Sequence, residues 1–159
     1  IYQQIVGFLY VLLNGFNEHH ELGVVLQAPF AMKLETLNRG REPDILFVAQ
    51  ERADLFAKNY LAGAADVAIE VISPGTGKTD RGEKYYEYEA VGIKEYWLLD
   101  PDRQQAEFYR LGADNLYHPV VMGSDGIFRS EVITGFWFRI EWLWQRPKGI
   151  DALRALGVA

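Results

Sequence analysis

Residues Asp66 to Asp100 read DVAIEVISPGTGKTDRGEKYYEYEAVGIKEYWLLD, and this stretch decides the fold. Val67 to Ile72 is a short apolar run interrupted by one carboxylate, Glu70. Ser73 to Gly77 has turn composition, Asp80 to about Val91 has helical composition, and Gly92 ends the helix. Glu95 to Leu99 is a second apolar run, closed by Asp100-Pro101. Strand, turn, helix, strand is the pattern of a crossover unit joining two parallel strands. Within it lie Glu70, Asp80 and Lys84, three ionisable side chains near the end of a buried strand.

On the N-terminal side, Ile5, Phe8, Leu9, Leu12, Leu13 and Phe16 recur at helical spacing, so residues 1–17 form an amphipathic helix ending between Asn14 and Asn17. His19-His20 then falls in a polar turn. Val24 to Gln27 reads as a strand, and Phe30, Met32 and Leu34 alternate with polar neighbours in a second. After the LNRGRE turn, Pro43-Asp44 opens a third strand, Ile45 to Val48, at the position where a strand tolerates proline. Short turns between the three predict an antiparallel meander. Residues 50–65 are a polar connection to the crossover unit.

On the C-terminal side, 106–111, 115–122 and 128–133 read as strands, 135–144 (GFWFRIEWLW) closes one edge of the core, and 150–156 is a short helix. Trp137, Trp142 and Trp144 are expected to pack rather than to stack on a base. Neither a repeat nor a linker divides residues 1–159, so they form a single domain. The start at Ile1, inside a helical pattern, predicts that residues preceding it are missing.

Composition narrows the function classes. At 49% hydrophobic and 14% aromatic, 159 residues can bury a core, and no apolar run approaches the roughly 18 residues that span a bilayer. The absence of cysteine excludes a disulfide framework, a thiol nucleophile and a thiolate zinc site, and favours the cytoplasm. A net charge of −6 and a pI of about 5.1 argue against a protein that coats nucleic acid non-specifically. They are compatible with carboxylates gathered around a divalent cation and with a local basic patch.

Gly75-Thr76-Gly77-Lys78-Thr79 looks like the end of a phosphate-binding loop. The full motif needs a glycine at position 72, where the chain has Ile72, and Pro74 removes an amide donor. The carboxylates carry more. Glu70 interrupts an apolar strand, and burying an unpaired carboxylate costs several kcal/mol, so it needs a cation or a proton. Asp44 sits at another strand end. Asp80, Lys84 and Tyr88 are spaced i, i+4, i+8 and share a helix face. Convergence of these groups at one sheet edge suits Mg²⁺ (or Mn²⁺), a hard ion that prefers oxygen, with a lysine beside it to orient a water or steady a developing negative charge. The competing reading is structural. Glu70 and Lys84 form a buried salt bridge, Asp44 caps a turn, and Asp80 caps the helix with Glu83 three residues on. Spacing alone leaves both open.

The pieces Glu70-Val-Ile-Ser-Pro, Lys84-Tyr-Tyr-Glu-Tyr and Gly92-Ile-Lys-Glu-Tyr-Trp-Leu-Leu-Asp-Pro, preceded by Pro43-Asp44 and an apolar strand, resemble the Uma-type family of restriction-endonuclease-like proteins. That family is a bacterial branch of the PD-(D/E)XK nuclease superfamily. The resemblance is strong over residues 43–101 and weaker over the whole chain. It implies a restriction-endonuclease-like α/β core, a central mixed sheet flanked by helices, and Mg²⁺-dependent hydrolysis of DNA. Asp44 and Glu70 would be the metal-binding carboxylates. The superfamily's usual lysine lies two residues after the acid, where this chain has Ile72, so the resemblance implies that Lys84 on the helix takes its place, supported by Asp80 or Tyr88. Superfamily members often add an acid from the first helix. Residues 1–17 contain none, which leaves that ligand absent, replaced by Gln3 or Gln4, or upstream of Ile1.

DNA contact needs cations near the site, and Arg39, Arg41, Lys78, Arg81 and Lys94 are the candidates by proximity in sequence. Duplex cleavage needs two sites, which makes a two-fold dimer the natural assembly. The alternative function is a catalytically inactive module that keeps the fold and binds DNA or protein.

Overall fold

The computed structural model describes residues 1–159. Helix α1 (Tyr2–His20) buries Ile5, Phe8, Leu9, Leu12, Leu13 and Phe16, the face its periodicity predicts. It runs past the expected end at Asn17. Glu21 turns into the left-handed region (φ 53°) and its N–H caps the Asn17 carbonyl. His19 and His20 therefore stand exposed on the last helical turn rather than in a loop, at the end where the helix dipole favours positive charge.

Strands β1 (Gly23–Gln27), β2 (Ala31–Leu34), β3 (Arg39–Arg41) and β4 (Ile45–Ala49) follow. They do not form the expected meander. β1 pairs antiparallel with β4, while β2 pairs antiparallel with β3 and parallel with β5 (Tyr60–Leu61) in a separate small sheet. A period of two tells which side chains face inward, but not which strand lies alongside.

The crossover unit is present. β6 (Val67–Val71) and β7 (Glu95–Asp100) pair in parallel, in register from Val67 with Glu95 to Val71 with Leu99. Between them the expected single helix is divided into α2 (Gly77–Arg81) and α3 (Glu83–Ala90). The break is at Gly82, whose φ of −106° and ψ of −87° are not helical. A Cβ there would lie 2.9 Å from the Lys78 carbonyl oxygen. Asp80 thus sits inside α2 and caps neither helix, which overturns the capping reading of that residue.

β8 (Gln105–Leu111) and β9 (Tyr117–Pro119) complete a six-stranded sheet in the order β1-β4-β6-β7-β8-β9, with β6–β7 its one parallel pair. β10 (Ile127–Arg129) and β11 (Trp137–Arg139) form a hairpin, and α4 (Gly149–Ala155) ends the chain's regular structure. The strand expected over 128–133 stops at Arg129. The following turn is pinned by the buried Glu95 carboxylate, which accepts from the Ser130 hydroxyl at 2.8 Å and the Glu131 N–H at 2.9 Å.

The sheet has two covered faces. On one, Val67, Ile69, Val71, Trp97 and Leu99 pack with α1, α4 and the β10–β11 aromatics, where Phe108 stacks on Phe128 at 3.8 Å. Trp137, Trp142 and Trp144 pack against this cluster, as expected. On the other, Leu46, Val48, Ala68, Tyr96 and Leu98 pack with Tyr88 of α3 and with Met32, Leu34 and Leu61 of the small sheet. No helix is long and apolar enough to cross a membrane.

Candidate active site

Glu70 is on the second face, beside Ala68 in register and only 3% exposed. Its position follows from strand alternation: Val67, Ile69 and Val71 take the α1 face, so Ala68 and Glu70 take the α3 face. Asp44 lies one residue before β4. The β4–β6 register pairs Ile45 with Ile69, and its continuation sets Asp44 across from Glu70. The Val71 N–H donates to Asp44 Oδ2 at 2.7 Å, which fixes that carboxylate at the sheet end.

Helices α2 and α3 lie above. Lys84 Nζ is 3.2 Å from Glu70 Oε2 and 2.9 Å from Asp80 Oδ1. The Tyr88 hydroxyl donates to the same Glu70 oxygen at 2.8 Å. Asp80 is 1% exposed, and its backbone carbonyl accepts from the Tyr96 hydroxyl at 2.7 Å, which ties α2 down to β7. The i, i+4, i+8 spacing therefore does what it implied for Asp80 and Lys84, and the structure adds that Tyr88 binds Glu70. Both strand acids and Lys84 belong to one cluster.

Tyr2 is the member that the sequence did not reveal. Its hydroxyl, from the first turn of α1, donates to Asp44 Oδ1. The contact spans 42 positions in the chain, and a tyrosine at a helix start carries no local sign of such a partner. Gln3 stands beside it: Tyr2, Gln3, Gln27 and Asp44 are among the residues that line a recess of about 240 Å³.

Burial dominates the electrostatics. Desolvation pushes Glu70 up to about 7 from the ordinary 4.5. Lys84 and the Tyr88 hydrogen bond oppose the rise, while the negative charges of Asp44 and Asp80 add to it. Asp44 is raised too, again first by desolvation, with the hydrogen bonds from Tyr2 and Val71 pulling the other way. Burial works against the Lys84 ammonium, but Glu70 and Asp80 outweigh it and hold the lysine above its usual value.

This donor set fits a hard divalent cation in its chemistry. It offers two carboxylates, without sulfur or imidazole, whose burial disfavours their charge by more than Lys84 offsets. It does not make a closed cage, since no three carboxylate or histidine side chains converge. His19 and His20 stand exposed at the far end of α1 from Tyr2.

The cations expected near DNA are mostly engaged. Arg39 and Arg41 of β3 both pair with Glu83 and Glu87, which clasps the small sheet to α3, with Arg41 Nε 2.8 Å from Glu87. Arg81 pairs with Asp100 at 3.0 Å, and Lys94 with buried Asp66 at 3.2 Å. Lys78 stands exposed on α2. The glycine-rich turn before it closes on itself, with the Ser73 N–H donating to Thr76 Oγ1 at 3.0 Å.

A mixed sheet with one parallel crossover, an acid at the end of each of two adjacent strands and helices on both faces define a restriction-endonuclease-like α/β fold. The chain is a member of the Uma2 family, described as "Putative restriction endonuclease", whose model matches residues 2–141. The fold is similar to the crystal structure of "a putative nuclease belonging to DUF820" from Anabaena variabilis ATCC 29413, with a TM-score of 0.76 and 18% identity. That match covers 91% of this chain and 80% of the other. Comparison with curated proteins gave no match.

Proposed function

We propose that this chain is a divalent-metal-dependent nuclease that hydrolyses phosphodiester bonds of DNA. The observation that carries the reading is the convergence of Asp44, Glu70 and Lys84 from β4, β6 and α3 on one sheet end. Asp44 and Glu70 would hold the metal, Mg²⁺ or Mn²⁺. When bound, the metal supplies a Lewis acid beside the scissile phosphate. The Lys84 ammonium then orients the attacking water or steadies the negative charge that develops on the phosphate. Asp80 keeps Lys84 extended toward Glu70, and Tyr88 keeps the Glu70 carboxylate from turning. Lys78, Arg41 and Arg81 are the candidates for contact with DNA, Lys78 and Arg41 at the backbone, Arg41 by exchanging carboxylate partners for phosphate. Because the overall charge is acidic, binding is weak and falls steeply with salt. A homodimer that presents two sites to a duplex is the assembly we infer, in the cytoplasm.

A second reading has its own support. Lys84 and Tyr88 satisfy Glu70, and Tyr2 and Val71 satisfy Asp44, without any metal. On that reading the cluster is structural and the protein is an inactive module that binds DNA or protein. Calorimetry with Mg²⁺ and Mn²⁺ separates the two, run with and without a DNA oligonucleotide on wild type and Glu70→Gln. Saturable binding lost in the variant, together with plasmid cleavage lost in Asp44→Asn and Lys84→Ala, supports the nuclease. Absence of metal binding with DNA present rejects it.

A further inference from the structure

The β6–β7–β8 registers set Glu70 opposite Leu98, and Leu98 opposite Glu107. The three side chains therefore share one face of the sheet. Adjacent strands lie about 4.8 Å apart, which sets Glu107 about 10 Å from Glu70. On this face Arg81, Tyr85, Tyr86, Leu98, Glu107 and Tyr109 line a cavity of about 350 Å³. That is within the range of about 300–1,000 Å³ typical of small-ligand pockets.

The walls are aromatic. Tyr85 meets Tyr109 edge-on at 5.0 Å, Tyr117 at 5.3 Å and Tyr86 at 5.2 Å between ring centroids. Tyr86 is nonetheless 67% exposed, a large ring held at the cavity mouth with a free face. The polar side is a donor next to an acceptor. Glu107 accepts from the Tyr109 hydroxyl at 2.6 Å and touches Arg81 Nη2 at a long 3.4 Å. Arg81 Nη2 also donates to Asp100 at 3.0 Å. Arg103 Nε also stands 3.9 Å from Asp100, so two carboxylates balance two guanidinium groups and the cavity has no surplus positive charge for a phosphate. It suits an uncharged, planar ring with hydrogen-bonding edges.

We propose that this cavity is a nucleobase subsite, and that it prefers guanine. The inference rests on the nuclease reading for its place beside the scissile phosphate. The base stacks on Tyr86 against the Tyr85–Tyr109 wall, a contact available to any base. Guanine alone presents two neighbouring N–H donors for a carboxylate and the O6/N7 acceptor pair for a guanidinium, matching Glu107 and Arg81. A base still stacked in a duplex cannot enter, so the subsite takes one that is unpaired or turned out of the helix.

The test is fluorescence anisotropy in EDTA with end-labelled oligothymidylate and the same strand carrying one central guanine. The proteins are wild type, Tyr86→Ala, Tyr86→Phe and Glu107→Gln, each checked for an unchanged melting transition. Wild type is expected to bind the guanine strand roughly 5- to 100-fold tighter. Tyr86→Ala weakens both strands by a similar factor and Tyr86→Phe does not. Glu107→Gln loses the preference and keeps oligothymidylate binding. Equal affinity of wild type for the two strands overturns the guanine assignment. Wild-type affinity in Tyr86→Ala, or binding of neither strand by wild type, overturns the subsite. Metal-dependent cleavage is assayed separately on the same proteins. Cleavage with no variant effect on binding rejects the subsite alone, and variant effects without any cleavage reject the nuclease reading alone.

Discussion

Lys84 Nζ stands 3.2 Å from Glu70 Oε2, although the lysine is on α3 and the acid on β6. Two residues after the acid, Ile72 packs against the cluster of apolar side chains that includes Tyr88. The charge instead comes down onto Glu70 from the helical layer, where Asp80, four residues earlier on α2, holds it at 2.9 Å.

Removal of Lys84 leaves two buried carboxylates facing one another. Lys84→Ala is expected to destabilise the fold by about 3–5 kcal/mol, the usual cost of breaking a buried pair from one side. Chemical denaturation measures this. If Lys84 also steadies charge on the phosphate, cleavage by the folded fraction falls by about 100-fold or more.

Glu70 gives the metal-free protein a pH-dependent stability. Its value in the folded chain, about 7, is above the ordinary 4.5, so the fold favours the protonated acid. The resulting stabilisation is complete below about 4.5 and is lost as pH rises through about 7. Glu70→Gln is neutral at every pH and leaves Lys84 its Asp80 partner. Melting curves in a chelator should therefore show the variant more stable than wild type at pH 8, with the gap closing as pH falls below about 7. A gap independent of pH contradicts this.

Tyr2 secures Asp44 from α1 and occupies an oxygen that a cation would use. Tyr2→Phe removes a hydrogen bond to a charged acceptor, at a cost of about 1.5 kcal/mol in stability. In the same variant Mn²⁺ binding is expected to strengthen, because the hydroxyl no longer competes for the carboxylate. Denaturation and calorimetry on one preparation give both values.

Gly82 separates the helix that holds Asp80 from the one that holds Lys84. A methyl group there meets the Lys78 carbonyl at 2.9 Å, and backbone cannot step aside cheaply. Gly82→Ala is expected to cost about 1–3 kcal/mol. It also shifts α3 against α2, so cleavage should fall further than the folded fraction does.

The sequence by itself determined the crossover unit, the buried face of α1 and the residues of the acid cluster. Each is written locally: in the apolar runs on either side of SPGTG, in the spacing from Ile5 to Phe16, and in a lone glutamate inside an apolar strand, which has to find a cation or a proton. The family resemblance over residues 43–101 then named Asp44 as the second acid. Tertiary structure alone decided that β1 lies against β4, since alternation specifies a face and not a neighbour. It decided that the helix breaks at Gly82, where the close approach of the Lys78 carbonyl leaves no room for a side chain. It also decided that Tyr2 meets Asp44 and that Glu107 shares a face with Glu70. Those pairings depend on strand order and helix docking, which the packing of the whole core sets and no local pattern encodes.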